Sequence, residues 1–248
     1  MIKKIKNKFL KYSNALIINA KKVNAIKNTV EDNFSLLILL KMFESNTFLS
    51  LTSWSISPKE VLHICNDIVI NNRKNIIEFG SVFSTICIAQ LIKKEKLTIN
   101  FISVESNEDW IKILSKKLVE LDLLQYVKFI YAPITDKQPS FFMKNQSKCY
   151  DEEKLFNSLN NMNFDCIIVD GPPSMYSPYI RYTALPFLKD KLSDDYSIFL
   201  DDFRRPIEKE ILTEWKKILE FEFYDFDRYA YLTNRQKFET EPLTMHLF

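Results

Sequence analysis

Only two glycines, Gly80 and Gly171, occur in the 248 residues of this chain, where average usage of about 7% predicts roughly 17. A chain uses glycine where φ must be positive or where its backbone must come close to another group. Gly80 directly follows the apolar run I-I-E-F, and Gly171 directly follows the run I-I-V-D. Both glycines therefore stand where a predicted strand ends, and this pairing constrains the fold.

From residue 75 onward, short apolar runs alternate with segments of helical spacing. The predicted strands cover residues 75–79, 98–104, 127–131, 164–169, 196–200, 221–226 and 229–233. The predicted helices cover residues 58–70, 85–94, 108–123, 178–192 and 205–219. Such alternation favours an α/β fold: a Rossmann-like, doubly wound, mostly parallel seven-stranded sheet with an N-terminal helical extension.

The first 50 residues form the predicted extension and residues 51–248 the α/β domain. Residues 1–30 contain eight of the chain's 34 basic residues and no acidic one, which leaves 26 basic and 32 acidic residues for the remainder. This basic arm has several interpretations: a contact with anionic lipid, nucleic acid or a partner, a dimerisation helix that makes a homodimer, or a solvated helix face. Nucleic acid is not favoured as the main substrate because the body is acidic.

The chain has neither an apolar run of the roughly 20 residues that a membrane helix needs nor an apolar signal core. Its four widely spaced cysteines, with only two histidines to assist them, are interpreted as reduced buried thiols of a cytoplasmic protein. A disulfide framework and a zinc site are not expected.

Parallel α/β sheets bind ligands outside the carboxyl ends of their strands. Gly80 and Gly171 both belong to that edge, and Glu105 ends the second predicted strand, 25 residues after Gly80. A carboxylate in this place can accept both hydrogen bonds of a ribose diol. The pattern predicts a site for a nucleotide-like ligand. A nicotinamide dehydrogenase is a weaker interpretation, because its pyrophosphate loop needs three glycines near Gly80.

The order and spacing of several motifs resemble class I S-adenosylmethionine (SAM)-dependent methyltransferases. Residues 78–85, E-F-G-S-V-F-S-T, are similar to that family's first motif, E-x-G-S-G-x-S-T, and residues 170–173, D-G-P-P, to its fourth. Further similarities to one bacterial branch, from W-S-I-S-P at 54–58 to L-D-D-F-R-R-P at 200–206, extend the resemblance over residues 50–235.

The resemblance implies a SAM-dependent methyltransferase with SAM as cofactor. It implies the following cofactor-binding residues: Glu78, Phe79, Gly80, Ser81, Ser84, Thr85, Glu105 and Asp170. In that interpretation Ser84 and Thr85 donate to the SAM carboxylate, Glu78 orients the ammonium group, and Asp170 lies beside the sulfonium. The alternative is that Glu78 and Asp170 only cap neighbouring helices.

Val82 stands where members of the family usually have glycine. A β-branched residue at positive φ is a genuine outlier, so we expect this turn to be either reshaped or strained. A degenerate methyltransferase fold that serves as a non-catalytic scaffold or partner subunit is therefore the alternative function.

Three carboxylates follow two neighbouring predicted strands: Asp170 after one, and Asp201 and Asp202 after the next. Adjacent strand ends lie about 5 Å apart, and the resemblance to catechol and sugar O-methyltransferases implies that these three residues bind Mg²⁺. Alternatively, Asp202 caps the next helix, and Arg204 or Arg205 neutralises the acids.

The predicted acceptor is a small hydroxylated molecule, and the branch implies a sugar or glycan precursor. Asp170 and Asp202 are the candidate catalytic residues, with Tyr176 and Tyr179 as candidate acceptor contacts. The polar stretch at residues 136–163 is long for a connection, which predicts a lid or binding loop with Tyr150 and Asp151 facing the acceptor, or else a surface insertion.

Overall fold

The computed structural model describes residues 2–45, 47–80, 82–235 and 238–244, with the backbone alone for residues 2–17 and 21. Its helices are α1 Ile2–Leu40, α2 Pro58–Ile70, α3 Phe83–Lys94, α4 Glu108–Glu120, α5 Glu152–Ser158, α6 Ala184–Leu188 and α7 Pro206–Trp215. Its strands are β1 Asn75–Phe79, β2 Asn100–Glu105, β3 Lys128–Tyr131, β4 Ile134–Thr135, β5 Cys149–Tyr150, β6 Phe164–Val169, β7 Leu192–Leu200, β8 Glu222–Asp225 and β9 Ala230–Thr233.

Seven strands form one sheet in the order β3-β2-β1-β6-β7-β9-β8. Neighbours from β3 to β7 are parallel, and β9 runs antiparallel to both β7 and β8. Helices cover both faces: α2, α3 and α4 bury apolar residues against one face, and α5, α6 and α7 against the other. The predicted doubly wound, mostly parallel seven-stranded sheet is confirmed.

The strand register brings the site to one edge of the sheet. Phe79 at the end of β1 pairs with Val104 of β2 and with Val169 of β6, and Val169 pairs with Leu200 at the end of β7. Because these ends are level, the residues that follow them leave the sheet side by side.

The start of α2 follows from its sequence. Ser57 accepts a hydrogen bond from the backbone N–H of Glu60 at 3.3 Å, and Pro58 occupies the first turn. Pro has no N–H to offer, and the first turn is where none is needed. The predicted helix over residues 58–70 is confirmed.

The predicted helix over residues 178–192 is wrong in its continuity. The structure has a short 3₁₀ turn, Ile180–Thr183, then α6, then another 3₁₀ turn, Lys189–Lys191. Pro186 cannot donate to the carbonyl of Tyr182, and the indole N–H of Trp215 takes that acceptor at 2.9 Å. A tertiary contact thus replaces a helical bond.

The polar stretch at residues 136–163, predicted as a lid or binding loop or as a surface insertion, contains regular structure. β4 and β5 pair as an antiparallel hairpin, and α5 follows, with Asp151 capping it by accepting from the N–H of Lys154 at 3.1 Å. Among the residues described, no helix is both long and apolar enough to span a membrane.

Candidate active site

The two glycines touch each other, backbone against backbone. A Cβ added at Gly80 would lie 2.8 Å from the backbone N of Gly171, and one added at Gly171 would lie 2.9 Å from the Cα of Gly80. Gly80 also has φ +90°, and the N–H of Gly171 donates to the carbonyl of Phe79 at 2.6 Å. The contact of strand ends β1 and β6 leaves no space for a side chain at either position.

A cavity of about 770 Å³ opens beside this contact, at the carboxyl ends of β1, β2, β6 and β7. Five of the residues predicted for the site line it together: Gly80, Glu105, Asp170, Asp201 and Asp202. The volume lies in the range of small-molecule sites. The ligand site expected at this edge of the sheet is therefore an open cavity.

Glu105 stands at the cavity wall with 9% of its surface exposed. One carboxylate oxygen, Oε1, accepts from the backbone N–H of Ser106 at 2.7 Å and from that of Asn107 at 2.9 Å. These bonds fix the orientation of the carboxylate at the end of β2. A fixed acceptor in this place suits a diol that offers two hydroxyl groups.

Four other residues predicted to bind the cofactor lie behind the cavity. Glu78 is fully buried and accepts hydrogen bonds from the hydroxyl groups of Ser84, of Thr85 at 2.6 Å, and of Ser103 at 2.9 Å. The two hydroxyl groups expected to donate to a ligand thus donate to Glu78 and tie the start of α3 to β1. Phe79 is also buried, on the opposite face of the sheet. Ser81 lies outside the described residues.

Burial raises the pKa of Glu78 from 4.5 to about 7, although its three hydroxyl donors favour the charged form. The three hydroxyl donors stabilise the ionised carboxylate, but its removal from water costs free energy. Glu78 therefore acts as an internal anchor of the turn that carries Gly80.

Val82 lies in a reshaped turn and not at positive φ, which is the first of the two outcomes expected here. Its φ is −155° and its ψ −110°, at the position just before α3. The positive φ falls on Gly80 instead, so the β-branched side chain is accommodated by a reshaped turn. Val82 is half-buried and lines the cavity.

Asp170, Asp201 and Asp202 converge as their strand ends predict. Each offers a carboxylate oxygen, and these oxygens lie within 4.8 Å of one another. Asp202 has φ +61°, a left-handed conformation that aspartate tolerates better than most residues. Oxygen donors so arranged are the type that Mg²⁺ prefers.

Arginines already compensate these carboxylates. Arg181, which is 4% exposed, lies 3.3 Å from Asp170 and 3.0 Å from Asp202. Arg205 lies 2.8 Å from Asp202 as well, and Arg228 lies 3.5 Å from Asp201. The described side chains therefore favour neutralisation of the acids by arginine, with Arg205 taking part and Arg204 pairing with Asp227 instead. The expected cap by Asp202 is not seen, because no side chain caps the start of α7.

Burial and the neighbouring Asp201 raise the pKa of Asp170 well above its usual range, while Arg181 opposes the rise. Behind them Glu60 is 0% exposed, and its carboxylate faces Asp201 without an N–H or hydroxyl donor among the described residues. Burial and Asp201 raise the pKa of Glu60 well above its usual range. Asp170 and Glu60 therefore retain their protons more tightly than isolated carboxyl groups.

Aromatic side chains form much of the remaining cavity wall: Trp54, Trp110, Tyr150 and Tyr176. Trp54 is 66% exposed, so it lies at the rim and not in the core. Tyr150 is 4% exposed and places its hydroxyl 2.9 Å from a Cβ added at Gly171.

Two residues predicted to face the acceptor do not line this cavity. Asp151 caps α5 and lines a different surface cavity, and the hydroxyl of Tyr179 donates to Glu210 at 2.7 Å. Sequence reasoning missed Arg181 and Glu60. Arg181 lies within the stretch of residues 50–235 that carries the resemblance, but the motifs named above do not include it, and Glu60 looks like any first-turn acid.

Among the residues that the structure describes, neither a histidine nor a cysteine lines the cavity. His63 is buried between the hydroxyl groups of Tyr229 and Thr240, each at 2.9 Å, and burial lowers its pKa to about 3. His246 lies outside the described residues. All four cysteines are buried and free, as the sequence predicts.

Comparison with known proteins gives no family model that matches the sequence. No curated protein matches it either. Solved structures do. The O-methyltransferase TomG from Streptomyces achromogenes, in complex with SAM, is 12% identical, with a TM-score of 0.56 over 84% of this chain and 96% of that one.

Two further solved structures have the same architecture. The Podospora anserina methyltransferase PaMTH1, bound to S-adenosylhomocysteine (SAH), is 14% identical, with a TM-score of 0.55 over 86% of this chain and 94% of that one. An O-methyltransferase from Bacillus cereus in complex with SAH is 13% identical, with a TM-score of 0.51 over 82% and 89%. The chain therefore has the fold of the class I SAM-dependent methyltransferases.

Proposed function

We propose that this protein is a SAM-dependent O-methyltransferase that acts on a small hydroxylated acceptor. One observation carries the proposal: Gly80, Glu105 and Asp170, predicted from separate motifs, line one cavity at the carboxyl edge of the sheet. The methyltransferase fold supports it. Function follows from the site and not from the fold, so these three residues support the proposal more strongly than the fold does.

The cofactor placement follows from the cavity wall. Glu105 accepts the ribose hydroxyl groups, and the backbone at Gly80 and Gly171 forms the surface against which the methionine part lies. Asp170 lies at the sulfonium end. Glu78, Ser84 and Thr85 support the turn from behind through their mutual hydrogen bonds, a role different from the direct contact that the resemblance implies.

When bound, SAM supplies an electrophilic methyl group on a sulfonium. The protein's share of the reaction is to hold an acceptor hydroxyl in line with that methyl group and to accept its proton. Asp170 is our candidate for the proton, since its raised pKa makes the ionised form a better base, with Asp202 as the alternative. Arg181 holds both carboxylates in place.

A sugar or glycan precursor is the acceptor that we propose within this class. Its support is the branch resemblance and an aromatic wall that includes Trp54 and Tyr176, against which a sugar ring can pack. A reducing cytoplasmic setting belongs to the same proposal, supported by the four free thiols.

For the metal, we infer that guanidinium groups take the place of Mg²⁺. The three carboxylates have the right donor atoms, but Arg181, Arg205 and Arg228 lie within 3.5 Å of them. A divalent ion would have to displace these cations. No step of the mechanism above uses a metal.

Calorimetry with SAM and SAH tests the proposal. We expect both to bind the wild type, and Glu105→Gln to weaken binding at least about tenfold through the lost charged acceptor. Glu108→Gln, an exposed carboxylate three residues further on and outside the cavity, is the matched control and should bind as the wild type does. Failure of both ligands to bind the wild type at millimolar concentration contradicts the proposal.

A non-catalytic scaffold is the second candidate, favoured by the Val82 side chain in the cavity wall. In that case the wild type binds neither ligand, and Val82→Gly creates micromolar affinity. Co-purification of the native chain with a partner and without cofactor also supports the scaffold.

A further inference from the structure

The long helix α1 packs against the body through a narrow and partly polar face. The residues that it buries recur at every fourth position: Glu31 is 2% exposed, Ser35 1% and Leu39 1%. Glu31 accepts from the ammonium group of Lys59 at 2.9 Å. This spacing marks one stripe along the helix.

The opposite side of α1 is apolar and open to solvent. Its exposed residues follow the spacing i, i+3, i+7, i+11, i+14 and are between 41% and 64% exposed: Val23, Ile26, Val30, Phe34 and Leu37. At 3.6 residues per turn they span an arc of about 80°, centred roughly 140° from the buried stripe. We call these five residues the outer stripe. The helix thus directs its apolar side away from the protein that it belongs to.

Toward the amino end the stripe is interrupted by Asn19, and beyond it the sequence resumes the same spacing with Ile2, Ile5, Phe9, Tyr12 and Leu16. Around this pattern stand the eight lysines of residues 1–30, without a single acidic residue. A basic amphipathic helix of this kind is typical of segments that lie in a membrane interface.

The charge distribution of α1 indicates which partner the outer stripe contacts. A second copy of the chain, paired in parallel through this stripe, would bring two sets of eight lysines together, and in a pair of either direction Lys22 and Lys27 of both copies flank the seam. An anionic lipid surface offers both an apolar layer for the stripe and negative headgroups for the lysines.

We propose that α1 lies in the interface of an anionic bilayer, with the outer stripe toward the acyl chains and the lysines at the headgroups. The helix is fixed to the body: Asn28 donates to Asp227 at 2.7 Å, and the N–H of Lys59 donates to Asp32 at 3.1 Å. Binding of the arm therefore holds the whole domain at the membrane.

Sedimentation of the full-length protein with lipid vesicles tests this proposal. We expect at least about tenfold more protein to sediment with vesicles that contain phosphatidylglycerol than with pure phosphatidylcholine, and added salt to reduce the difference. Ile26→Glu with Val30→Glu should abolish binding. The matched control, Asn24→Glu with Thr29→Glu, introduces the same charge at exposed positions outside the stripe and should retain most of it.

Several outcomes overturn the proposal. They are absence of binding to the anionic vesicles, equal binding to both lipid types, and equal loss in the stripe variant and its control. A concentration-dependent dimer that Ile26→Glu with Val30→Glu dissociates, without vesicle binding, assigns the stripe to a second copy instead. Circular dichroism and SAH affinity of each variant show that the body is intact, which separates this test from that of the proposed function.

Discussion

The contact between Gly80 and Gly171 makes a quantitative prediction about alanine at either position. In Gly80→Ala the new methyl group would meet the backbone N of Gly171 at 2.8 Å, and φ +90° is unfavourable for any residue with a Cβ. In Gly171→Ala it would meet the Cα of Gly80 at 2.9 Å and the hydroxyl of Tyr150 at 2.9 Å. In both variants the ends of β1 and β6 must separate.

The magnitudes follow from these two effects. Overpacking of a close contact costs about 1–3 kcal/mol, and a left-handed backbone conformation adds about 1–2 kcal/mol for alanine. We therefore expect Gly80→Ala to lower the free energy of unfolding by about 2–5 kcal/mol and Gly171→Ala by about 1–3 kcal/mol. Because one separation of the strand ends relieves both clashes, the double variant should lose at least about 1 kcal/mol less than the sum.

Urea unfolding followed by circular dichroism measures these differences. Tyr150→Phe serves as an internal control, since removal of its hydroxyl should recover stability in the Gly171→Ala background and not in the Gly80→Ala background. Costs that add to within about 0.5 kcal/mol would refute the reasoning, because additivity is the behaviour of sites without contact.

Three further predictions follow from the site. For Glu78→Gln, the free energy of unfolding of the wild type relative to the variant should fall by about 3 kcal/mol as the pH rises from about 4.5 to about 7, and stay level above pH 7. The reason is that a carboxyl group with a raised pKa binds its proton more tightly in the folded state than in the unfolded state. Urea unfolding across this pH range measures the difference, and a difference that does not change with pH contradicts the prediction. Arg181→Met should lower the free energy of unfolding by about 3–5 kcal/mol at neutral pH, since Asp170 and Asp202 lose a buried counter-charge, and by less in acid. A decrease in the free energy of unfolding below about 1 kcal/mol argues against the pairing. Methyl transfer, followed as SAH release, should be unchanged by EDTA, and a loss that Mg²⁺ restores would assign the carboxylates to a metal.

Local rules in the sequence specify much of the fold. The Ser57–Pro58 start of α2 and the strands β1 and β6 agree with their predicted limits, because capping residues and apolar runs are read over a few neighbouring positions. The break around α6 has one local cause, since Pro186 stands inside the predicted helix and a proline there interrupts the helical hydrogen bonds. Its other cause could not be predicted. The indole of Trp215 is far away in sequence and takes the carbonyl that a longer helix would have used.

The candidate site, too, could be predicted from the sequence only in part. The placement of Glu105 and Asp170 at the cavity follows from their positions just at the ends of strands. The motif does not reveal that the hydroxyl groups of Ser84 and Thr85 turn inward to Glu78, since that choice depends on the burial of the Glu78 carboxylate, which takes its hydrogen bonds from hydroxyl groups inside the protein.

By itself, the sequence determined the order of the elements and the sheet edge on which the ligand residues stand, because strand, turn and cap preferences depend on near neighbours. Only the tertiary structure decided that the two glycines press against each other, that Arg181 compensates the acids, and that α1 presents its apolar side outward. Contacts between residues distant along the chain depend on packing and burial, which no local pattern encodes.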